Sequence, residues 1–448
     1  MLALVVVGGL GLQRAWADGD LNTLVCGGPC GPEAVAAPAD LGRDGAAVRA
    51  EPQAQVAGTL DPQAVRAALE PLLGASALGD RVGVSVLDPT GATVLEVAAD
   101  RPFVPASTTK LVTAYAALDL LDPQSRFTTS VVRDGDRVVL VGGGDPYLAA
   151  RAPEEPTAVD RADLATLAER TAAALRGSGA GSVTLGYDAS LFTGPAASPE
   201  WEDDYVSGQV VTPVSALWVD RGETDGVRSA DPAASAAARF AVLLREEGVE
   251  VRGEPTSAEA PAAATTLAEV ESATVAQVVD AVLVRSDNEA AEVLLRQVAI
   301  AAGEPASFDG GAAAVRSVLE DAQVPLPGFE VFDGSGLSRS NRISPATLTG
   351  LVRAAATRAD TAEILAALPV GGLTGTLDDR LEEAGAGVVR AKTGTLTGVH
   401  SLAGYVTDVR GVPLAFAVMT DGSEGDNPLE TQAALDDLAT ALATCDCS

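Results

Sequence analysis

The chain is organised around Pro105-Ala106-Ser107-Thr108-Thr109-Lys110, which runs straight into the apolar segment Leu111-Val112-Thr113-Ala114-Tyr115-Ala116-Ala117-Leu118. A proline-led entry into such a run reads as the start of a helix, and a spacing of three residues puts Ser107 and Lys110 on one face, a single turn apart. A serine hydroxyl is a poor nucleophile until something takes its proton. A lysine whose charge is disfavoured, by burial or by a second cation, can take it. On its own the spacing equally fits an ordinary helix start with a solvated lysine.

Two later motifs narrow the choice. Ser286-Asp287-Asn288 follows an apolar helical run, Val278 to Val284, and Lys392-Thr393-Gly394-Thr395 opens a strand-like segment. Ser-x-x-Lys, Ser-Asp-Asn and Lys-Thr-Gly in this order form the signature shared by penicillin-binding proteins and class A β-lactamases, and the trio is far more specific than any one member.

At 448 residues, 47% of them apolar, the chain has the length for two or three domains and the material for a core. Sixty-two acidic against thirty basic residues give a net charge of −32, which repels phosphate backbones, so no nucleic-acid partner is expected. Residues 1–17, apolar from Met1 to Leu12 and ending in Ala15-Trp16-Ala17, resemble a secretory signal or part of an N-terminal anchor. The expectation is an exported, extracytoplasmic protein. Cys26 and Cys30 sit near one end, Cys445 and Cys447 at the other, and in an exported protein disulfides tethering the termini are expected, with the pairing open. His400 is the lone histidine. Neither a metal nor another cofactor is expected.

Residues 18–58, rich in Ala, Pro, Gly and Asp, read as a linker. Beyond it the patterns predict a helix over 64–73, strands over 82–87 and 93–97, then the Ser107 helix. Residues 111–285 are too many for a loop and must carry structure of their own. A hairpin over 127–132 and 137–141, helices over 163–175 and 233–247, and a strand over 182–185 suggest an inserted domain at 126–269, splitting a catalytic domain into 59–125 and 270–448. After Asn288 come a helix over 289–302, strands over 388–392, 401–406 and 413–420, and a final helix over 429–442. Helices before, between and after antiparallel strands predict an α+β fold.

With these motifs, Gly142-Gly143-Gly144-Asp145-Pro146, Asp333-Gly334-Ser335-Gly336-Leu337 and Leu368-Pro369-Val370-Gly371-Gly372, residues 60–443 resemble the class C low-molecular-mass penicillin-binding proteins. These are D-alanyl-D-alanine carboxypeptidases and endopeptidases on the penicillin-binding/serine β-lactamase-like transpeptidase fold. The resemblance implies a hydrolase that acts on peptidoglycan stem peptides and binds β-lactam antibiotics. It implies Ser107 as the acylated nucleophile, Lys110 as its proton acceptor and Ser286 as the donor to the leaving amine. Asn288 would hold the peptide, and Lys392, Thr393, Gly394 and Thr395 would meet the terminal carboxylate. The backbone N–H groups of Ser107 and Thr395 would form the oxyanion hole. It further implies Asp145 and Tyr147 as receivers of the stem peptide's free amine and Arg339 as a carboxylate partner; the bland reading of Asp145-Pro146 is a turn.

A histidine-based hydrolase is disfavoured because no Gly-x-Ser-x-Gly occurs and His400 reads as a strand residue. A class A β-lactamase needs a deacylating glutamate; Glu292 to Leu295 is the nearest segment, but it is followed by Arg296 and begins one turn after Asn288. An inactive cell-wall-binding protein would have no reason to keep Ser107 and Lys110.

Overall fold

The computed structural model describes residues 59–155, 157–423 and 428–448. The expected signal and linker, with Cys26 and Cys30, lie outside them. Helix α1 (Pro62–Leu73) starts at Asp61, whose carboxylate accepts the Gln63 N–H (2.8 Å), and buries Val65 and Leu69. Strands β1 (Val82–Leu87) and β2 (Thr93–Val97) turn at Asp88, which takes the N–H groups of Thr90 and Ala92. A single tight turn, Ala106–Thr108, leads into α2 (Thr109–Leu120), whose residues Thr109 to Leu118 are all buried. A helix of small and apolar residues on every side is a core helix, and the others pack around it.

An inserted unit follows: β3 (Arg126–Asp134), β4 (Arg137–Val141), α3 (Leu164–Gly177), β5 (Ser182–Asp188), a ribbon of β6 (Glu223–Thr224) and β7 (Val227–Arg228), α4 (Pro232–Glu246), β8 (Glu250–Ser257) and β9 (Thr265–Thr274). The chain returns through α5 (Val275–Arg285), α6 (Asn288–Ala302), α7 (Phe308–Asp321), α8 (Pro345–Thr357) and the short α9 (Glu363–Ala366). It closes with β10 (Val389–Leu396), β11 (Val399–Thr407), β12 (Pro413–Thr420) and α10 (Pro428–Ala443).

The main sheet has the order β10-β11-β12-β1-β2, antiparallel throughout, so the first strands complete a sheet begun by the last. Alternation along its central strands sorts the core into two layers. Leu402, Phe416 and Val418 join Leu69 of α1 and Leu438 of α10 on one face. Ala403, Ala417 and Met419 face Leu111 of α2, Leu294 of α6 and Leu351 of α8 on the other. Because both faces are covered, these strands read as continuous apolar runs rather than alternating ones.

The inserted sheet, β8-β5-β4-β3-β9, has its own core of Val131, Leu140, Leu167, Phe240 and Val270. It is mixed, because α3 and α4 make crossovers that set β4, β5 and β8 parallel. Its edge strands β8 and β9 carry no clear sequence signal: edges keep one side in solvent, and β8 carries Gly253 and Pro255. Strand β9 continues to Thr274, past the expected boundary, and delivers the chain into α5, which ends at Ser286. Helices α7 and α8 are additions to the expected elements; Gly310-Gly311 weakens the helical pattern of α7, yet a Cβ on Gly311 would collide with Leu295 of α6, so glycine permits the close crossing.

Cys445 is bonded to Cys447 rather than to a residue near the other end. Among the described residues, the start of α1 is held to the last residues by backbone: Asp61 N–H donates to the Cys447 carbonyl (2.6 Å). Among the described residues no helix is long and apolar enough to cross a membrane.

Candidate active site

Ser107 sits half-buried in the turn before α2, directly after Ala106, whose φ of +48° lies in the left-handed region that disfavours a side chain. The strain is held in place from two sides. Pro105 O accepts the hydroxyls of Thr108 (2.7 Å) and Ser401 (2.7 Å), and Gly336, itself at φ +87°, packs its α-carbon against Ala106 O. Gly394 of β10 passes so close that a Cβ there would lie 2.5 Å from Pro105 O and 3.1 Å from Ser107 N. That proximity is the physical reason for glycine in Lys392-Thr393-Gly394.

Lys110, one turn on and 0% exposed, sends its Nζ to three acceptors: Ser107 Oγ (3.0 Å), Asn288 Oδ1 (2.7 Å) and Ser335 O (2.7 Å). Burial lowers its pKa to about 8 against the opposing charges of Glu292, Asp333, Asp287 and Glu289. Two of the three acceptors cannot donate. A neutral amine has two hydrogens and one lone pair, so with Asn288 and Ser335 taking the hydrogens the lone pair is left pointing at the Ser107 hydroxyl.

Ser286 ends α5 in the left-handed conformation (φ 56°, ψ 39°), and Asp287 caps α6 by accepting Ala290 N–H (3.0 Å). This tight junction sets Ser286 and Asn288 on the wall of one cavity, with Ser286 also reaching the cleft of Ser107. Lys392 Nζ donates to Ser286 Oγ (3.0 Å) and Thr393 O (3.0 Å). Its pKa is well below the usual lysine value, first through burial and then through the charge of Lys110. The cleft, about 330 Å³, is lined by the hydroxyl-bearing Ser107, Ser286, Thr376, Thr393 and Thr395, by Gln432, and by one residue of each charge, Arg380 and Asp379. A second cavity of about 690 Å³ adjoins it at Ser286 and reaches Asn288, Tyr147, Arg221 and Arg285. Strand β10 is one edge of the sheet; residues 369–371 bridge its outer side up to Ala391, and beyond that point its outward backbone groups can receive an extended peptide as a further strand.

The three motifs thus meet in space, while the more remote candidates part company. Asp145 is 3% exposed and lines neither cavity; its Oδ1 accepts Tyr147 N–H (2.8 Å) and its backbone carbonyl accepts Trp218 Nε1–H (3.1 Å). Burial raises its carboxyl to about 7. This geometry is that of the turn. The preceding glycines serve close packing, since Cβ atoms on Gly142 and Gly143 would strike Ala216 O and Thr128 O. Tyr147 does line the second cavity and donates its hydroxyl to Asp287 Oδ2 (3.4 Å). Arg339 is engaged by Glu202 (2.8 Å) and by Thr397 O (3.1 Å) beside the β10–β11 hairpin. His400 is buried on β11 opposite Thr395.

Several contributors escaped the linear reading. Arg380, held in a bidentate pair by Asp436 (2.7 and 3.0 Å), brings a guanidinium to the cleft that Thr393 and Thr395 line. Arg221, from a segment in which Asp220, Arg221 and Gly222 all have positive φ, reaches from the insertion to Asp287 (3.2 Å). Glu292 carried a readable signal: four residues after Asn288 it shares that face of α6, and an acidic residue on a buried face needs partners.

An amine base seated beneath a serine at a helix entry, facing a second buried amine across an open sheet edge, defines a serine acyl-transferase of the penicillin-binding type. The comparisons make the class more specific. The chain belongs to the D-Ala-D-Ala carboxypeptidase 3 (S13) family, whose model matches residues 65–226 and 223–442. A carboxypeptidase of Mycobacterium tuberculosis is 37% identical over 416 residues, covering 89% of this chain and 87% of that one. The crystal structure of penicillin-binding protein 4 from Haemophilus influenzae superposes with a TM-score of 0.71 at 22% identity, over 84% of this chain and 98% of that one. The same protein complexed with a β-lactam matches with a TM-score of 0.65, at the same identity and coverage. The chain is a serine-type D-Ala-D-Ala carboxypeptidase.

Proposed function

We propose that the chain trims peptidoglycan stem peptides through an acyl-enzyme on Ser107, and that β-lactams inhibit it by acylating the same hydroxyl. The observation that carries this is the Lys110 amine, 3.0 Å from Ser107 Oγ, with its two other contacts on pure acceptors. The peptide enters along β10 with its terminal carboxylate among the hydroxyls of Thr393 and Thr395, at the cleft wall that carries the Arg380 guanidinium. Asn288 orients the acyl portion. Ser107 Oγ attacks the carbonyl of the penultimate D-alanine while its proton passes to Lys110 Nζ, and the N–H groups of Ser107 and Thr395 stabilise the oxyanion. Collapse breaks the amide bond; Ser286, bonded to Lys392, relays the proton held on Lys110 to the departing D-alanine amine, which leaves Lys110 neutral again. Neutral Lys110 then takes a proton from the water that attacks the ester and returns it to Ser107 Oγ as the acyl C–O bond breaks, so one base serves both halves. Glu292 has both oxygens engaged by backbone N–H groups, which removes it as a deacylating base of the class A β-lactamase kind. The substrate is cell-wall material, so we place the enzyme outside the cytoplasm.

Intact-protein mass after penicillin treatment should rise by one drug molecule, and a peptide ending in D-Ala-D-Ala should lose one D-alanine. Ser107→Ala should abolish both. An adduct that persists in that variant would overturn the assignment.

A further inference from the structure

The five amides from Gly334 to Ser338 all turn inward onto side chains. Glu292 accepts the first two, Gly334 N–H at Oε2 (2.9 Å) and Ser335 N–H at Oε1 (2.8 Å). Asp333 accepts Gly336 N–H (3.0 Å) and Ser338 N–H (2.7 Å), and the Ser335 hydroxyl takes Leu337 N–H (3.3 Å). Orienting the amides also orients the carbonyls of the same peptide units. Gly334 O is thereby presented to Thr113 Oγ1 (2.8 Å) and Ser335 O to Lys110 Nζ (2.7 Å), both on α2. Glycines let the loop press this close: a Cβ on Gly334 would stand 2.6 Å from Ala291 O, and one on Gly336 would collide with Ala106 O, the residue before the nucleophile.

We propose that Glu292, working with Asp333, is a positioning residue for Lys110: Glu292 fixes the Gly334 and Ser335 amides and so seats the loop on α2, Asp333 fixes the peptide unit that offers Ser335 O to Nζ, and the ionised Glu292 carboxylate adds negative charge to the field at the buried amine. Glu292 is 0% exposed and does not touch the reacting atoms, so it acts only through the loop and through its field. The charged groups around it are Lys110 on α2, Asp333 on the loop, Asp287 and Glu289 at the start of α6, and Arg296 one turn on along α6 with Asp309 of α7 behind it. Burial and the neighbouring Asp333 raise the Glu292 carboxyl to about 8, the range to which burial lowers Lys110. Their titrations overlap, so the pH at which the base becomes available is a property of the pair. This inference rests on the reading of Ser107 and Lys110 given above.

Glu292→Gln tests it. The amide keeps one acceptor but turns an NH2 toward a backbone N–H, and it carries no charge. Penicillin acylation should slow roughly ten- to a hundredfold, the effect of losing a charge-assisted hydrogen bond. The acid limb of the acylation pH profile should also move to lower pH by about one unit, because the ammonium form has lost a stabilising neighbour. Glu292→Asp, which retains the charge, should slow acylation while leaving the limb in place. A limb that stays put in Glu292→Gln would overturn the proposal, since a merely structural residue lowers the rate equally at every pH. Should the Gln variant fail to fold, a shifted limb in Glu292→Asp would overturn it instead. Labelling that survives Ser107→Ala refutes the underlying reading, whatever the Glu292 variants do.

Discussion

Gly394→Ala is the smallest change that should separate the two halves of the active site. The added Cβ would lie 2.5 Å from Pro105 O, where ordinary contact begins at 3.4 Å, so something must retreat by about 0.9 Å. Pro105 O cannot yield easily, because it is bonded to Thr108 Oγ1 (2.7 Å) and to Ser401 Oγ (2.7 Å), and the Ser401 hydroxyl stands nearer still to the new methyl group. The edge strand β10, bridged on its outer side by residues 369–371 only as far as Ala391, is the softer partner beyond that point and should move outward, carrying Lys392, Thr393 and Thr395 away from Ser107. Misplacement on the order of 1 Å costs about a hundredfold in rate, and overpacking of this kind destabilises by about 1–3 kcal/mol. We expect penicillin acylation and D-alanine release to fall together by about that factor while urea unfolding stays a single cooperative transition. Stopped-flow acylation with a fluorescent penicillin measures the first, and quantifying released D-alanine the second. Rates within a few-fold of the parent would refute the claim that the approach of β10 to the Ser107 turn sets the geometry.

Other expectations are simpler. Lys110→Arg should fold but acylate at least about a hundredfold more slowly, since a guanidinium stays charged at working pH and cannot act as the base; near-normal acylation would mean another group takes the proton. In the parent enzyme the acylation rate should climb as pH rises through about 8, because only neutral Lys110 accepts a proton; a flat profile from pH 6 to 10, a range of about two units either side, contradicts this. Asp145, raised from 3.8 to about 7 by burial, favours the folded state when protonated, so its contribution is complete below about pH 4 and is lost as pH rises through about 7. Asp145→Asn should therefore gain thermal stability relative to the parent at pH 8 compared with pH 5, and an equal difference at the two pH values would argue against a buried, titrating carboxyl.

The elements legible in the chain were those whose pattern is local. The Ser107 helix, the strand pair at 82–97, the β3–β4 hairpin and the three closing strands announce themselves because each carries an apolar period or a turn residue suited to its conformation. Strands β8 and β9 do not, since an edge strand needs only half its residues apolar and takes its register from a partner far along the chain. Asp145 shows the same limit at a single residue. Its neighbours in sequence fit a substrate contact or a turn equally well, and only the packing of Trp218 and Gly142-Gly143 around it selects the turn.

What the amino-acid sequence determined by itself was the chemistry: a serine one helical turn from a lysine, and two further motifs in an order specific enough to name the reaction. Covalent spacing along a helix or strand is enough for that. What the tertiary structure decided was whether the chemistry is available. A lysine becomes a base at moderate pH only when burial strips its solvation and fixed acceptors take its hydrogens, and Asn288, Ser335, Glu292 and Asp333 reach Lys110 from more than a hundred residues away in the chain. Desolvation and long-range charge depend on what surrounds an atom in three dimensions, and no local pattern of residues encodes that.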